Sequence, residues 1–370
     1  MSLKARIAAL IEAQGPMSVA QFMTLALLDP KEGYYATRDP FGAGGDFVTA
    51  PEVSQMFGEM LGLWMLQAWA DQGCPKNPRL VELGPGRGTL MADMLRAASV
   101  EPDFIADLDV VLVEASPVLQ ELQAEKLRGC GADVSWQAQF DDSLSDRPLF
   151  LVANEFFDAL PVRQYVRTSR GWHERMVTTL DGELNFALAP VPVPLPTIPA
   201  SRETAPEGGV YETSPAANAL AENIAGIVAQ RGGEALIIDY GYDAITGFAE
   251  TLQAVGGHRF VDALDTPGED DLSAHVDFVA LAQAGRRGGA FVSGPVTQGQ
   301  FLATIGLVER AEQLMKSHPA SSRDILSATE RLIGGDQMGT LFKALAFTPP
   351  GSGTRRMPAR PTLNHSSASI

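Results

Sequence analysis

The stretch Leu80-Val81-Glu82-Leu83-Gly84-Pro85-Gly86-Arg87-Gly88-Thr89-Leu90 constrains this chain more than any other. A short apolar run ends in glycines at every second position. A helical stripe then begins, with Leu90, Met91, Met94, Leu95 and Ala98 on one face. The pattern predicts a strand, a tight turn and a helix start. A glycine, lacking Cβ, takes positive φ in such a turn and lets a ligand approach the backbone. The helix N-terminus beyond offers unpaired N–H groups and a partial positive charge to a carboxylate or phosphate. A nucleotide-type cofactor is the expected occupant, with Gly84, Gly86 and Gly88 as its cradle.

The spacing narrows the cofactor. A dinucleotide fingerprint reads G-x-G-x-x-G, whereas here the third glycine comes one residue early and an acid stands two places before the first. That spacing argues against a nicotinamide-linked dehydrogenase. Glu82 falls inside a strand expected to be covered on both faces. A buried carboxylate is costly unless a cation or several donors meet it. S-adenosylmethionine (SAM) carries an ammonium group that would do so.

The chain has 370 residues, 45% of them hydrophobic, enough for a core with an attached subdomain. No apolar run approaches the roughly 18 residues of a membrane span. Met1 to Gln14 holds Lys4 and Arg6 but no long apolar core or cleavage site, so no signal peptide is expected. Cys74 and Cys130 lie far apart and the five histidines show no ligand spacing. No metal site is expected, and a reducing compartment, the cytoplasm in a bacterium, fits. A net charge of −17 without any Lys/Arg run disfavours nucleic acid and slightly favours a cationic partner.

Along the chain, two helical patterns occupy residues 3–28, with Ser18 as an N-cap. A loop-like stretch follows from Asp29 to Thr49, then an amphipathic helix from Ser54 to Ala70. A second strand, 108–113, ends at Glu114-Ala115-Ser116, where an acid can accept hydrogen bonds from ribose hydroxyls. A third, near 134–136, leads to Gln139 and Phe140, an amide and an aromatic face suited to adenine. The fourth, 148–153, ends at Asn154-Glu155-Phe156-Phe157-Asp158. Ligands of open α/β sheets bind outside the carboxyl ends of strands, so this segment faces the reacting group.

Asp181-Gly182 signals a hairpin, Pro190 to Pro206 an extended segment, and Ser214-Pro215 a helix start. Leu236 to Tyr242 reads as a fifth buried strand, Leu272 to Ala284 as a helix, and 291–293 and 341–347 as final strands. Strands alternating with helices imply a mostly parallel sheet. The expected organisation is an N-terminal helical or lid region at 1–75, a core at 76–165 and 232–348, an insertion at 166–231 and a disordered tail at 349–370.

Glu82 to Leu90 resembles motif I of class I SAM-dependent methyltransferases. Together with Gly45 to Gln55, Asn154 to Pro161, Asp271 to Phe278, and Thr297-Gln298-Gly299 with Phe301-Leu302, it resembles the MidA family over about residues 5–347. The resemblance implies an α/β, Rossmann-like class I methyltransferase sheet with an N-terminal helical region and an inserted subdomain, and SAM as methyl donor. The family's animal member is a mitochondrial protein arginine methyltransferase that assists assembly of respiratory complex I. Kinship therefore implies a protein acceptor, an arginine nitrogen in a complex I subunit being the nearest case. The paired-glutamate loop of the main arginine methyltransferase group is missing, and Asn-Glu-Phe-Phe stands where adenine and glutamine methyltransferases carry Asn-Pro-Pro-Tyr.

Methyl transfer from a sulfonium is an in-line displacement catalysed largely by positioning. A guanidinium stays protonated at ordinary pH, and carboxylates can hold it by paired hydrogen bonds. Glu155, supported by Asp158, is the candidate for this role, although both could instead cap the following helix. Asn154 would orient cofactor or acceptor, and His275 with Asp277 would form a base pair near the acceptor. Tyr35, Phe47, Thr49 and Glu52 would form a lid over the cofactor. A SAM-binding assembly chaperone with little catalysis is the alternative.

Overall fold

The structure, a computed structural model, describes residues 1–37, 49–194, 197–199, 205–244 and 250–351. Its central sheet is made of β1 (Arg79–Leu83), β2 (Asp109–Val113), β3 (Asp133–Gln137), β4 (Leu149–Asn154), β5 (Gly233–Tyr242), β6 (Val276–Asp277), β7 (Phe291–Thr297) and β8 (Phe342–Thr348). The spatial order is β3-β2-β1-β4-β5-β8-β7, with β6 beside the end of β5. Strands β1 to β6 pair in parallel. Strand β8 runs antiparallel to both of its neighbours. Chain order reverses between β1 and β4, which leaves a crevice at their carboxyl ends.

The strands are apolar on both faces because both are covered. Leu80, Val110, Leu112, Phe150, Val152, Leu236 and Ile238 lie on one side, packed with helices α1 (Gln55–Asp71) and α2 (Thr89–Ala98). After α3 (Pro117–Lys126) come α4 (Pro215–Arg231) and α5 (Phe278–Arg287), which cover Val81, Leu83, Val111, Leu151, Ala153 and Ile237 on the other side. Each fully buried Leu, Val or Phe contributes roughly 1.5–3 kcal/mol. The two layers therefore hold the loops at the carboxyl ends firmly.

Two smaller antiparallel sheets make a cap. One joins Met17–Ser18, Gly171–Leu180, Arg163–Thr168 and Val210–Thr213, with Glu183–Leu188 paired onto Gly171–Leu180. The other joins Arg259–Val261, Gln253–Gly256 and Asp271–Ser273. Helices Leu3–Gln14 and Val19–Leu28 pack with them around Ile7, Phe22, Met23, Val177 and Leu272. Ser18 caps the second of these helices and completes a capping box with Gln21. Asp181 and Gly182 form the expected hairpin turn at φ +51° and +85°.

These sheets redraw two expected boundaries. Helix α4 packs on the central sheet, so the inserted part ends before Pro215 rather than at 231. The cap also draws on residues 253–273 and on the N-terminal helices. Leu272 to Ala284 is not one helix. Asp271–Ser273 pairs with Gln253–Gly256, and Val276-Asp277 pairs with Gly241-Tyr242. The helix begins only at Phe278, where Asp277 accepts from the Ala280 N–H. Strand partners on both sides take the backbone groups that a helix would have used.

Candidate active site

The turn after β1 carries Gly84, Gly86 and Gly88 at φ +64°, +53° and +76°. These are left-handed conformations that side chains with a Cβ rarely adopt. Gly88 is the N-cap of α2. Below the turn, Glu82 is 3% exposed and its Oε2 has no hydrogen-bond partner. Burial pushes its pKa up to about 8, opposed by a hydrogen bond from the Met91 backbone.

At the end of β2 the Glu114 Oε1 accepts from the Ser116 N–H at 2.8 Å. Burial pushes this carboxyl up, against hydrogen bonds from Ser116, Gln123 and Ala115. Ser116 is 2% exposed and its Oγ is unpartnered, while Ala115 is exposed. A cleft of about 410 Å³, open to solvent, joins Glu82, the glycine turn, Thr49, Glu52, Asn154 and Glu155. Glu52 accepts from Thr89 Oγ1 at 2.6 Å, and Thr89 Oγ1 in turn accepts from Lys126 at 2.6 Å.

The far wall of the cleft is the turn after β4. Glu155 sits there at φ +52°, an uncommon backbone for a glutamate. Asp239, within β5, explains how the turn is held. Its Oδ2 accepts from the backbone N–H groups of Phe156, Phe157 and Asp158 at 3.1, 2.9 and 3.2 Å. Its Oδ1 accepts from the Tyr240 N–H at 2.9 Å. Burial and the carboxyls of Asp158 and Glu155 push the Asp239 pKa up, while these donors hold the anion.

The Glu155 Oε1 accepts from the Ala50 N–H and from Asn154 Nδ2, both at 3.1 Å. Asn154 is buried and its Oδ1 is unpartnered. Burial raises Glu155 to about 7, opposed by the Ala50 hydrogen bond and reinforced by Asp158. Burial raises Asp158 to about 6, against a hydrogen bond from Tyr240.

Several sequence candidates lie elsewhere. Gln139 is exposed, and Phe140 is half-buried against the core covered by α4 and α5; like Glu114, Ala115 and Ser116, neither is among the residues lining this cleft. Tyr35 donates to Asp271 Oδ1 at 2.7 Å and packs edge-on against Tyr34, in the cap rather than over the glycine turn. His275 stacks edge-on against Tyr240 at 5.4 Å and lines a separate cavity with Asp277, which caps α5. Phe47 lies outside the described residues.

Two residues that sequence reading passed over are central. Asp239 interrupts an apolar run within a strand. Gln123 sits where the stripe Leu119–Leu127 calls for an apolar side chain, and it is fully buried. Both are polar residues at apolar positions, and that was the legible signal.

A parallel sheet in this order defines a class I methyltransferase when a glycine turn follows its first strand, an acid lies within that strand and another acid follows the second. The orphaned oxygens of Glu82, beside the glycine turn, and of Ser116, next to Glu114, fit a ligand bearing an ammonium group and hydroxyls.

The chain matches, over residues 60–296, the family described as "Putative S-adenosyl-L-methionine-dependent methyltransferase". It belongs to that family. It is 36% identical to the mitochondrial protein arginine methyltransferase NDUFAF7 of Danio rerio, covering 92% of this chain and 86% of that protein. It is 35% identical to the human protein of the same name, covering 92% and 81%. A Burkholderia thailandensis protein described as a "likely methyl transferase" and solved bound to S-adenosyl-homocysteine superposes with a TM-score of 0.85. That pair is 30% identical over 96% of this chain and 93% of that one. The protein is a SAM-dependent methyltransferase.

Proposed function

We propose that this enzyme transfers the methyl group to an arginine nitrogen of a protein, and that Glu155 is the residue that holds the acceptor. When bound, SAM supplies an electrophilic methyl group on a sulfonium. The rest falls to this chain. Glu82 and the glycine turn would hold the amino-acid end, Glu114 and Ser116 the sugar, and Glu52 the rim. On the opposite wall, Glu155 presents a carboxyl and Asn154 a spare carbonyl oxygen, both acceptors of N–H bonds. A guanidinium donates only, in a rigid fork, so this pairing suits it.

The observation that carries the reading is the Glu155 carboxyl on the cleft wall, in a strained backbone held by Asp239. The names of the relatives, protein arginine methyltransferases, support the acceptor class. A role in assembling respiratory complex I is the corresponding biological proposal, in line with the family resemblance.

The test is transfer of radioactive methyl from SAM to proteins of a cell extract, followed by mapping of the labelled residue. Glu155→Gln is expected to keep S-adenosylhomocysteine (SAH) binding and to lower turnover about a hundredfold. A label on a residue other than arginine, or wild-type turnover in the variant, would reject the assignment. The alternative, a SAM-binding assembly chaperone, predicts no label at all.

A further inference from the structure

Gln123 is fully buried, yet it carries three polar contacts that link the glycine turn, Glu114 and strand β3. The Trp136 indole N–H donates to its Oε1 at 2.8 Å. Its Nε2 donates to the Gly86 carbonyl at 2.7 Å and approaches Glu114 Oε2 at 3.4 Å. An indole N–H can only donate, so it fixes which end of the amide is oxygen. The NH₂ group must then face the glycine turn and the acid together. A Cβ added at Gly88 would meet the Gln123 side chain at 3.3 Å, so the third glycine is packed against its stem.

We propose that Gln123 is a positioning residue that ties the glycine turn to Glu114, setting the spacing between the subsite for the cofactor's amino-acid end and the subsite for its ribose. Trp136, anchored in strand β3, holds the amide in register. This inference rests on the assignment of Glu114 to the sugar.

A spacer has a signature that a merely structural residue lacks. When two subsites are held at the right separation, a ligand spanning both gains from the linkage, and fragments that occupy one do not. Gln123→Leu removes all three bonds at similar volume. Gln123→Glu keeps the acceptor for Trp136 but loses the donor and sets a second carboxyl against Glu114.

Calorimetry on the full chain would compare SAH with its fragments, methylthioadenosine and homocysteine. In either variant SAH affinity is expected to fall about tenfold or more, with each fragment changing by less than about threefold. Equal losses for SAH and methylthioadenosine would overturn the spacer role, and unchanged SAH affinity would overturn any role.

Should neither variant fold, the unaltered protein still decides. The indole N–H resonance of Trp136 is expected to shift on SAH titration, with a midpoint at the measured affinity, and an unmoved resonance would reject the coupling. Wild-type protein that fails to bind SAH would refute the cofactor assignment itself. SAH binding that survives Glu114→Ala unchanged would refute the sugar assignment, independently of Gln123.

Discussion

At the glycine end of the cleft Glu82 is buried with one oxygen unpartnered, whereas at the far wall Asp239 is buried and accepts four backbone N–H bonds. Both are carboxyls within strands of one sheet. Burial pushes both upward in pKa. What separates them is whether the chain supplies the partner. Asp239 is completed by the fold and serves to shape the turn that carries Glu155. Glu82 lines the cleft with one oxygen unpartnered, and the proposed ligand ammonium would complete it. An unpartnered oxygen beside a cleft leaves room for a ligand donor, whereas a carboxyl saturated by backbone donors serves the frame.

The sharpest way to break this contrast is at the cradle. Gly86 has φ +53°, where a β-branched residue is strained and its side chain would enter the cleft. Gly86→Val is expected to lose SAH binding by at least about a hundredfold, combining roughly 1–3 kcal/mol of backbone strain with the lost space. Calorimetry measures the affinity, and circular dichroism checks the fold. An unchanged affinity would mean that the ligand does not use the turn.

The next largest effect belongs to the frame. Asp239→Ala would orphan the N–H groups of Phe156, Phe157 and Asp158, along with that of Tyr240. Unsatisfied buried donors cost about 1–3 kcal/mol each and do not simply add. A loss of about 3 kcal/mol or more is expected, read by chemical denaturation. Glu82→Gln should behave in the opposite way, leaving stability equal or higher while SAH affinity drops. Equal destabilisation by both substitutions would erase the distinction between ligand-completed and fold-completed carboxyls.

The same distinction explains what could be read in advance. Glycine spacing, the acid before it and the alternation of strands and helices are local patterns, so the sheet, the glycine turn and the burial of Glu82 were legible. Asp239 gains its meaning from residues some eighty positions earlier, and Tyr35 from Asp271 on the opposite side of the chain. No local pattern encodes such pairings. The helix expected over 272–284 failed for a related reason, since strand partners far along the chain claimed its first residues. The adenine candidates Gln139 and Phe140 were placed by position after a strand; β3 is an edge strand of mixed exposure, so burial there gives no local signal for them.

The most graded test concerns protonation. Burial moves Glu82 from the ordinary 4.5 to about 8, so at neutral pH the free protein holds it protonated. A carboxyl raised on folding favours the folded state below its ordinary pKa, and that contribution is lost as pH rises through about 8. Under the proposed pairing with the ligand's ammonium the carboxylate is needed, so binding would expel a proton. SAH affinity is expected to rise about tenfold per pH unit between roughly pH 6 and 8. The rise should flatten near pH 8, where Glu82 already ionises in the free protein. Calorimetry in two buffers of unlike ionisation enthalpy should register release of about one proton near pH 7. Glu82→Gln should abolish both the slope and the release while Asp239, held by its own donors, contributes neither. A flat profile in the unaltered protein would mean that the cation is met by some other group, and that the unpartnered oxygen of Glu82 is not the feature that selects the ligand.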